Sequence, residues 1–165
     1  MKKFICVAAL LVISAISISA QQKPDFTGTW KLNVAKSDFG PIPGPDSRTD
    51  VITHKEPAFT DEVTADGAQG KQQYTIKYTT DGKEVTNQIG PREVKSIVKW
   101  VGNTMVVTSK FDLEGSEVNA QAVWSLGADS KTMNVAVHYV SPMGEANQKL
   151  LLEKQEPAAP PSKTP

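Results

Sequence analysis

The stretch Asp25-Phe26-Thr27-Gly28-Thr29-Trp30-Lys31-Leu32-Asn33-Val34 decides the fold. Trp30, Leu32 and Val34 alternate with Thr29, Lys31 and Asn33, the period of a strand with one dry face and one wet face. The chain then enters Ala35 to Ser47, which carries three prolines and two glycines. Prolines cannot donate to a ladder, so this segment predicts a long loop of restricted, Ω-like shape between two strands.

The same alternation recurs downstream. Tyr74, Ile76 and Tyr78 oppose Thr75, Lys77 and Thr79. Val118, Ala120, Ala122, Trp124 and Leu126 oppose Glu117, Asn119, Gln121 and Ser125, and Met133, Val135, Val137 and Tyr139 oppose Thr132, Asn134 and His138. Turn dipeptides such as Asp66-Gly67, Asp81-Gly82, Gly90-Pro91, Gly102-Asn103 and Glu114-Gly115 punctuate these runs. The spacing predicts strands over 28–34, 48–54, 59–65, 71–79, 83–89, 92–101, 104–111, 116–126, 132–140 and 146–154. No segment keeps a helical spacing over ten residues, so no long helix is expected. Short connections favour sequential antiparallel neighbours, and a meander of this length that hides its edges closes into a barrel. The fold class expected is all-β, an up-and-down meander closing into a barrel of about 8–10 strands. A lipid-facing barrel would alternate too, but the aromatic content is 7% and no aromatic girdles flank the strands, which argues against it.

Working outward to the ends, Lys2 and Lys3 precede the apolar run Phe4 to Ile13 and a Ser/Ala-rich stretch ending at Ala20. That is the layout of a signal peptide cleaved after Ala20, and the apolar run is too short for a spanning helix. Residues 1–20 are therefore assigned to a signal peptide, 21–155 to one barrel domain, and 156–165, with four prolines, to a disordered tail. The expected address is periplasmic or secreted. The single cysteine, Cys6, falls inside the signal, so the mature chain has no disulfide and must rest on its own core. Without Lys2 and Lys3, 16 basic residues face 18 acidic ones, a net charge near −2 with both signs interspersed. Nucleic acid as a partner is excluded on that distribution.

Phe26-Thr27-Gly28-Thr29-Trp30-Lys31-Leu32 resembles the opening of lipocalins and the related fatty-acid-binding proteins, the calycin group. The resemblance implies that Gly28 and Trp30 are structural, with Trp30 packed across one closed end of the barrel. It also implies that Ala35 to Ser47 covers the other, open end. Lipocalins usually set an Arg from the last strand against that Trp; here Lys149 or Lys154 would have to substitute. The Pro-rich loop departs from the helix-turn-helix of the fatty-acid-binding branch.

Linear motifs for chemistry are missing. His54 reads as a strand-end residue and His138 as a solvated one, and no His or Cys cluster has ligand spacing, so no metal or cofactor is expected. No Gly-x-Ser-x-Gly turn occurs, and Gly115-Ser116 is an ordinary hairpin turn. Asp61-Glu62 reads as a pair of surface charges on a strand. No catalytic residue is nominated and the chain is read as a non-enzyme. The aromatic residues suggest a binding wall: Tyr74, Tyr78, Trp100, Trp124 and Tyr139 fall on the inward face, and Phe39 and Ile42 sit on the loop expected to fold over the mouth. Ala120 and Ala122 beside Trp124 leave room for a ligand or for a large neighbour. Two functions follow: binding a small apolar ligand inside the barrel under a Pro/Gly-rich lid, or a non-catalytic protein-binding module with a filled core, such as an inhibitor or envelope-associated adaptor. A continuous void of about 300 Å³ favours the first.

Overall fold

The computed structural model describes residues 23–68 and 70–156. Residues 1–20, expected to be a signal peptide, with Cys6 among them, and the tail from residue 157 lie outside the described residues.

Ten strands form one antiparallel sheet: β1 (Gly28–Leu32), β2 (Ser47–Lys55), β3 (Ala58–Asp66), β4 (Gln72–Thr79), β5 (Glu84–Ile89), β6 (Arg92–Val101), β7 (Thr104–Leu113), β8 (Ser116–Leu126), β9 (Thr132–Ser141) and β10 (Gly144–Lys154). Each pairs with its sequence neighbours, except that β4 and β5 share no ladder and β1 joins β10. The meander therefore closes on itself and leaves one seam. There Asn87 of β5, buried, stands in for a ladder. Its side-chain amide accepts from the Lys77 backbone N–H at 2.8 Å and donates to the Lys77 carbonyl at 2.8 Å.

Alternation places the core. Leu32, Ile52, Phe59, Val63, Val98, Met105, Val107, Met133, Val135 and Leu152 are buried inside, and the intervening residues of these strands face outward. The apolar side thus turns inward, the reverse of a lipid-facing barrel. Among the described residues no helix is long and apolar enough to cross a membrane.

β1 is shorter than its alternation predicts. After Leu32 the Asn33 side chain caps a 3-10 turn over Val34–Lys36, and Val34 turns outward and is exposed instead of continuing the inward row. The chain still follows β10: the Asn33 N–H donates to the Leu151 carbonyl, and Asp38 and Lys149 exchange backbone hydrogen bonds at 2.8 and 2.7 Å. The β1–β2 loop is thereby fastened to the last strand. Within it Phe39 packs against the core cluster, whereas Ile42 is exposed. Gly44 makes that packing possible, because a Cβ there would meet the Phe39 ring at 2.5 Å.

The Gly-x-Trp segment has a physical reason. Trp30 is fully buried and its indole N–H donates to the Phe26 carbonyl at 2.8 Å. The Lys154 ammonium lies 5.2 Å from the centre of its ring, a cation–π contact; of the two lysines expected to face Trp30, it is Lys154 that does. To arrive there the Lys154 stem crosses Gly28, where a Cβ would come within 2.5 Å of the Lys154 Cε and where φ is +146°. Gly28 is thus the slot through which the last strand reaches the first. Trp30→Ala should destabilise the barrel by about 3–5 kcal/mol, the range for a buried large aromatic, read from urea melts.

Candidate functional site

The β1–β2 loop and the turns after β3, β5, β7 and β9 gather at one end of the barrel, the mouth. The turns after β2, β4, β6 and β8, with residues 23–27, gather at the other. That second end is plugged by rings: Phe26 contacts His54, Phe59, Trp100 and Trp124 with centroids 6.1–6.3 Å apart. Glu56 locks the plug, accepting hydrogen bonds from His54 Nε2, Trp100 Nε1, Thr80 Oγ1 and Lys23 Nζ at 2.6–3.3 Å. Partial burial works against its charge, yet these donors hold the carboxyl down at about 2. His54 is therefore more than a strand-end residue: its side chain is almost fully buried and its Nδ1 accepts from the Phe26 N–H at 3.4 Å.

Above the plug lies a cavity of about 300 Å³. Its deep wall is apolar, made by Val107, Ala122, Trp124, Val135 and Leu152. Nearer the mouth, Arg48, Tyr74, Ser109, Tyr139 and Gln148 contribute polar atoms. Tyr139 donates to Gln148 Oε1 at 3.3 Å, and Gln148 Nε2 donates to the Phe39 carbonyl at 3.3 Å, so the cavity wall is tied to the loop. A wider groove of about 790 Å³ runs along the outer rim past Lys95, Lys110, Asp112, Glu114 and Glu117 and meets the cavity at Arg92 and Phe111. Its charged, open lining sets it apart from the apolar floor of the cavity.

Of the aromatic residues singled out in the sequence, Tyr74, Tyr78, Trp124 and Tyr139 line the cavity. Trp100 stands in the plug, stacked on Phe26 and His54. Phe39 and Ile42 are on the mouth-side loop and are not part of the lining. The two alanines leave room: Ala120 and Ala122 both border the void beside Trp124.

The sequence reading missed a buried charge cluster. Asp61 was expected at the surface; it is fully buried instead, on the inward face of β3 between Phe59 and Val63. Asp50 of β2 is buried beside it, and Arg48 grips Asp50 with two nitrogens at 2.7 and 2.8 Å. Neither oxygen of Asp61 has a hydrogen-bond partner among the described residues. Burial, with Asp50 adding repulsion and Arg48 only partly offsetting both, pushes the Asp61 carboxyl up to about 7. Burial also raises the phenols of Tyr74, Tyr78 and Tyr139, which stay neutral hydroxyls. The signal was present: a carboxylate two residues from Phe59 and two from Val63 shares their face. Among the described residues no group of three or more His, Cys, Asp or Glu is placed to hold a metal ion.

No family model and no curated protein matches the sequence. Solved structures do match the fold. The zebrafish ileal bile acid-binding protein complexed with cholic acid aligns over 79% of this chain and 98% of its own, with 16% identity and a TM-score of 0.54. Secretory abundant heat soluble protein 4 of Ramazzottius varieornatus aligns over 83% and 100%, at 14% identity and a TM-score of 0.55. The Schistosoma mansoni fatty acid binding protein in complex with arachidonic acid aligns over 79% and 96%, at 15% identity and a TM-score of 0.51. The chain therefore has a calycin-like, ten-stranded barrel fold.

Asp61 leaves a mark on the pH dependence of stability. Between the unfolded value near 3.8 and the folded value near 7, the folded protein holds a proton that the unfolded chain has lost. Stability from this group is full below about pH 4 and falls as the pH rises through 7, by roughly 2–4 kcal/mol in all. Glu56 acts oppositely, contributing stability above its ordinary value near 4.5 that is lost as the pH falls toward 2. Urea melts should thus peak near pH 4–5, and Asp61→Asn should flatten the decline toward pH 8.

Proposed function

We propose that this chain is an exported carrier that binds a small apolar molecule inside its barrel. The observation that carries the reading is the interior cavity of about 300 Å³, with an apolar floor and a few polar groups toward the mouth. Such a lining takes hydrocarbon out of water at about 25 cal/mol per Å² and leaves a small number of hydrogen bonds to fix orientation. A void of this kind argues against the filled-core protein-binding module. The structures that share the fold include one holding cholic acid and one holding arachidonic acid. That supports a binding role over a catalytic one.

In this reading the loop from Ser37 to Asp46 is the lid. Its backbone pairing with Lys149 and its link through Gln148 to Tyr139 couple the mouth to the cavity wall. Phe39 holds the loop down, and ligand entry requires it to lift.

Wild-type protein should take up an uncharged, apolar fluorescent probe at one site, and binding should alter the Trp124 emission. Ala122→Phe, which fills the floor, should abolish uptake while leaving a cooperative melt. A wild type that takes up no probe across a broad panel would overturn the carrier reading.

Export rests on the Lys2-Lys3 start and the apolar run that follows. N-terminal sequencing of protein from the extracytoplasmic fraction should read from Gln21, within a residue. Recovery of an intact Met1 form in the cytoplasm alone would overturn it.

A further inference from the structure

The charged and hydroxyl side chains of the cavity gather toward its mouth, and Arg48 among them is already paired with Asp50. Resting on the carrier reading above, we propose that the ligand is a single-headed amphiphile with an uncharged, hydroxyl-type head at the mouth-side collar and its hydrocarbon on Trp124, and that fatty-acid carboxylates are selected against.

The register sets the polarity of the cavity along its axis. Arg48 begins β2, Tyr74 begins β4 and Tyr139 ends β9, all toward the mouth, while Trp124 of β8 and Leu152 of β10 lie toward the plug. Trp124 is edge-on to Phe26 and Phe59 with centroids 6.3 and 5.8 Å away, a floor that offers rings to a hydrocarbon tail. The Trp124 indole Nε1 is buried there without a hydrogen-bond partner among the described residues, so a head placed at the floor would exchange its water for little more than that one donor.

The buried charges exclude an anionic head. Arg48 belongs to the collar, and Asp50 takes two of its nitrogens in a bidentate pair. Asp61 adds a second carboxylate, fully buried and without a hydrogen bond. A ligand carboxylate would be a third anion beside the paired Arg48, in a medium where charges are poorly screened, and Arg92, the other arginine of the lining, is exposed and keeps its water. A cationic head fares no better. The charged residues that line the cavity are Arg48 and Arg92; neither aspartate reaches its surface. A hydroxyl satisfies both sides, accepting from the guanidinium and donating to the oxygens of Tyr139, Ser109 or Gln148.

The test is displacement of the uncharged probe from the mature chain by decanol, decanoic acid and decylamine at pH 8, where Asp61 is ionised. Decanol should displace it at concentrations about tenfold lower than either charged chain. Asp61→Asn should narrow the gap between alcohol and acid about threefold or more. Decanol brominated at its far end should quench Trp124 more than decanol brominated beside the hydroxyl, and Trp124→Phe should remove the difference. If decanoic acid or decylamine displaces as well as decanol, or none of the three does, the headgroup assignment falls and the carrier reading stands. If the wild type takes up no probe at all, both fall.

Discussion

The closure of the first strand onto the last is the constraint on which the barrel depends. β1 is five residues long and must serve β2 on one edge and β10 on the other. Its middle residue, Trp30, is buried by both neighbours, and Lys154 seals the junction by passing through the gap that Gly28 leaves. A side chain at position 28 would displace the Lys154 ammonium from the Trp30 ring and would sit at a φ of +146°, which L residues rarely adopt. Were the junction to open, the sheet would have a free edge where it now has a ladder, and free edges recruit other chains. Everything inside the barrel, including the cavity, exists because that junction holds.

The two ends of the barrel are built on different physics. The plug end is dense with rings and is held by Glu56, one carboxylate gathering donors from the N-terminal segment, β2, the β4–β5 turn and β6. The mouth end has hydroxyls, an amide and arginines around a void. A packed end gives the scaffold its stability, and a looser end leaves space that a second molecule can fill. The Arg48–Asp50–Asp61 cluster runs inward from the mouth along β2 and β3. Its unsatisfied carboxylate costs stability as the pH rises toward neutrality.

Much of this was legible in the chain and some of it was not. Alternation located all ten strands within a few residues, because each has one buried and one wet face, and it put Tyr74, Tyr78, Trp124 and Tyr139 on the inner surface. Alternation reports the face of a residue but not its depth. Trp100 therefore looked equivalent to Trp124, and both stand opposite Met105 in register; it is stacking on Phe26 and His54 that makes Trp100 part of the plug. β2 inverts the usual pattern: Arg48, Asp50 and His54 face in with Ile52, while Val51 faces out. Reading polarity as exposure failed there and at Asp61, where burial of charge overrode it. The path of the β1–β2 loop depends on Asp38 meeting Lys149 across the fold, a contact no local pattern encodes.

The junction between β1 and β10 also sets the order in which the chain can assemble. Asn33 and Glu153, bonded at 2.9 Å, are 120 residues apart. Contacts that distant carry a large loop-closure entropy and form late, so a meander of hairpins can gather while its first strand still has one open edge. A chain that emerges amino end first completes this ladder only once its last strand is free to pair. Until then Trp30 lacks its partner and the cavity has an open side.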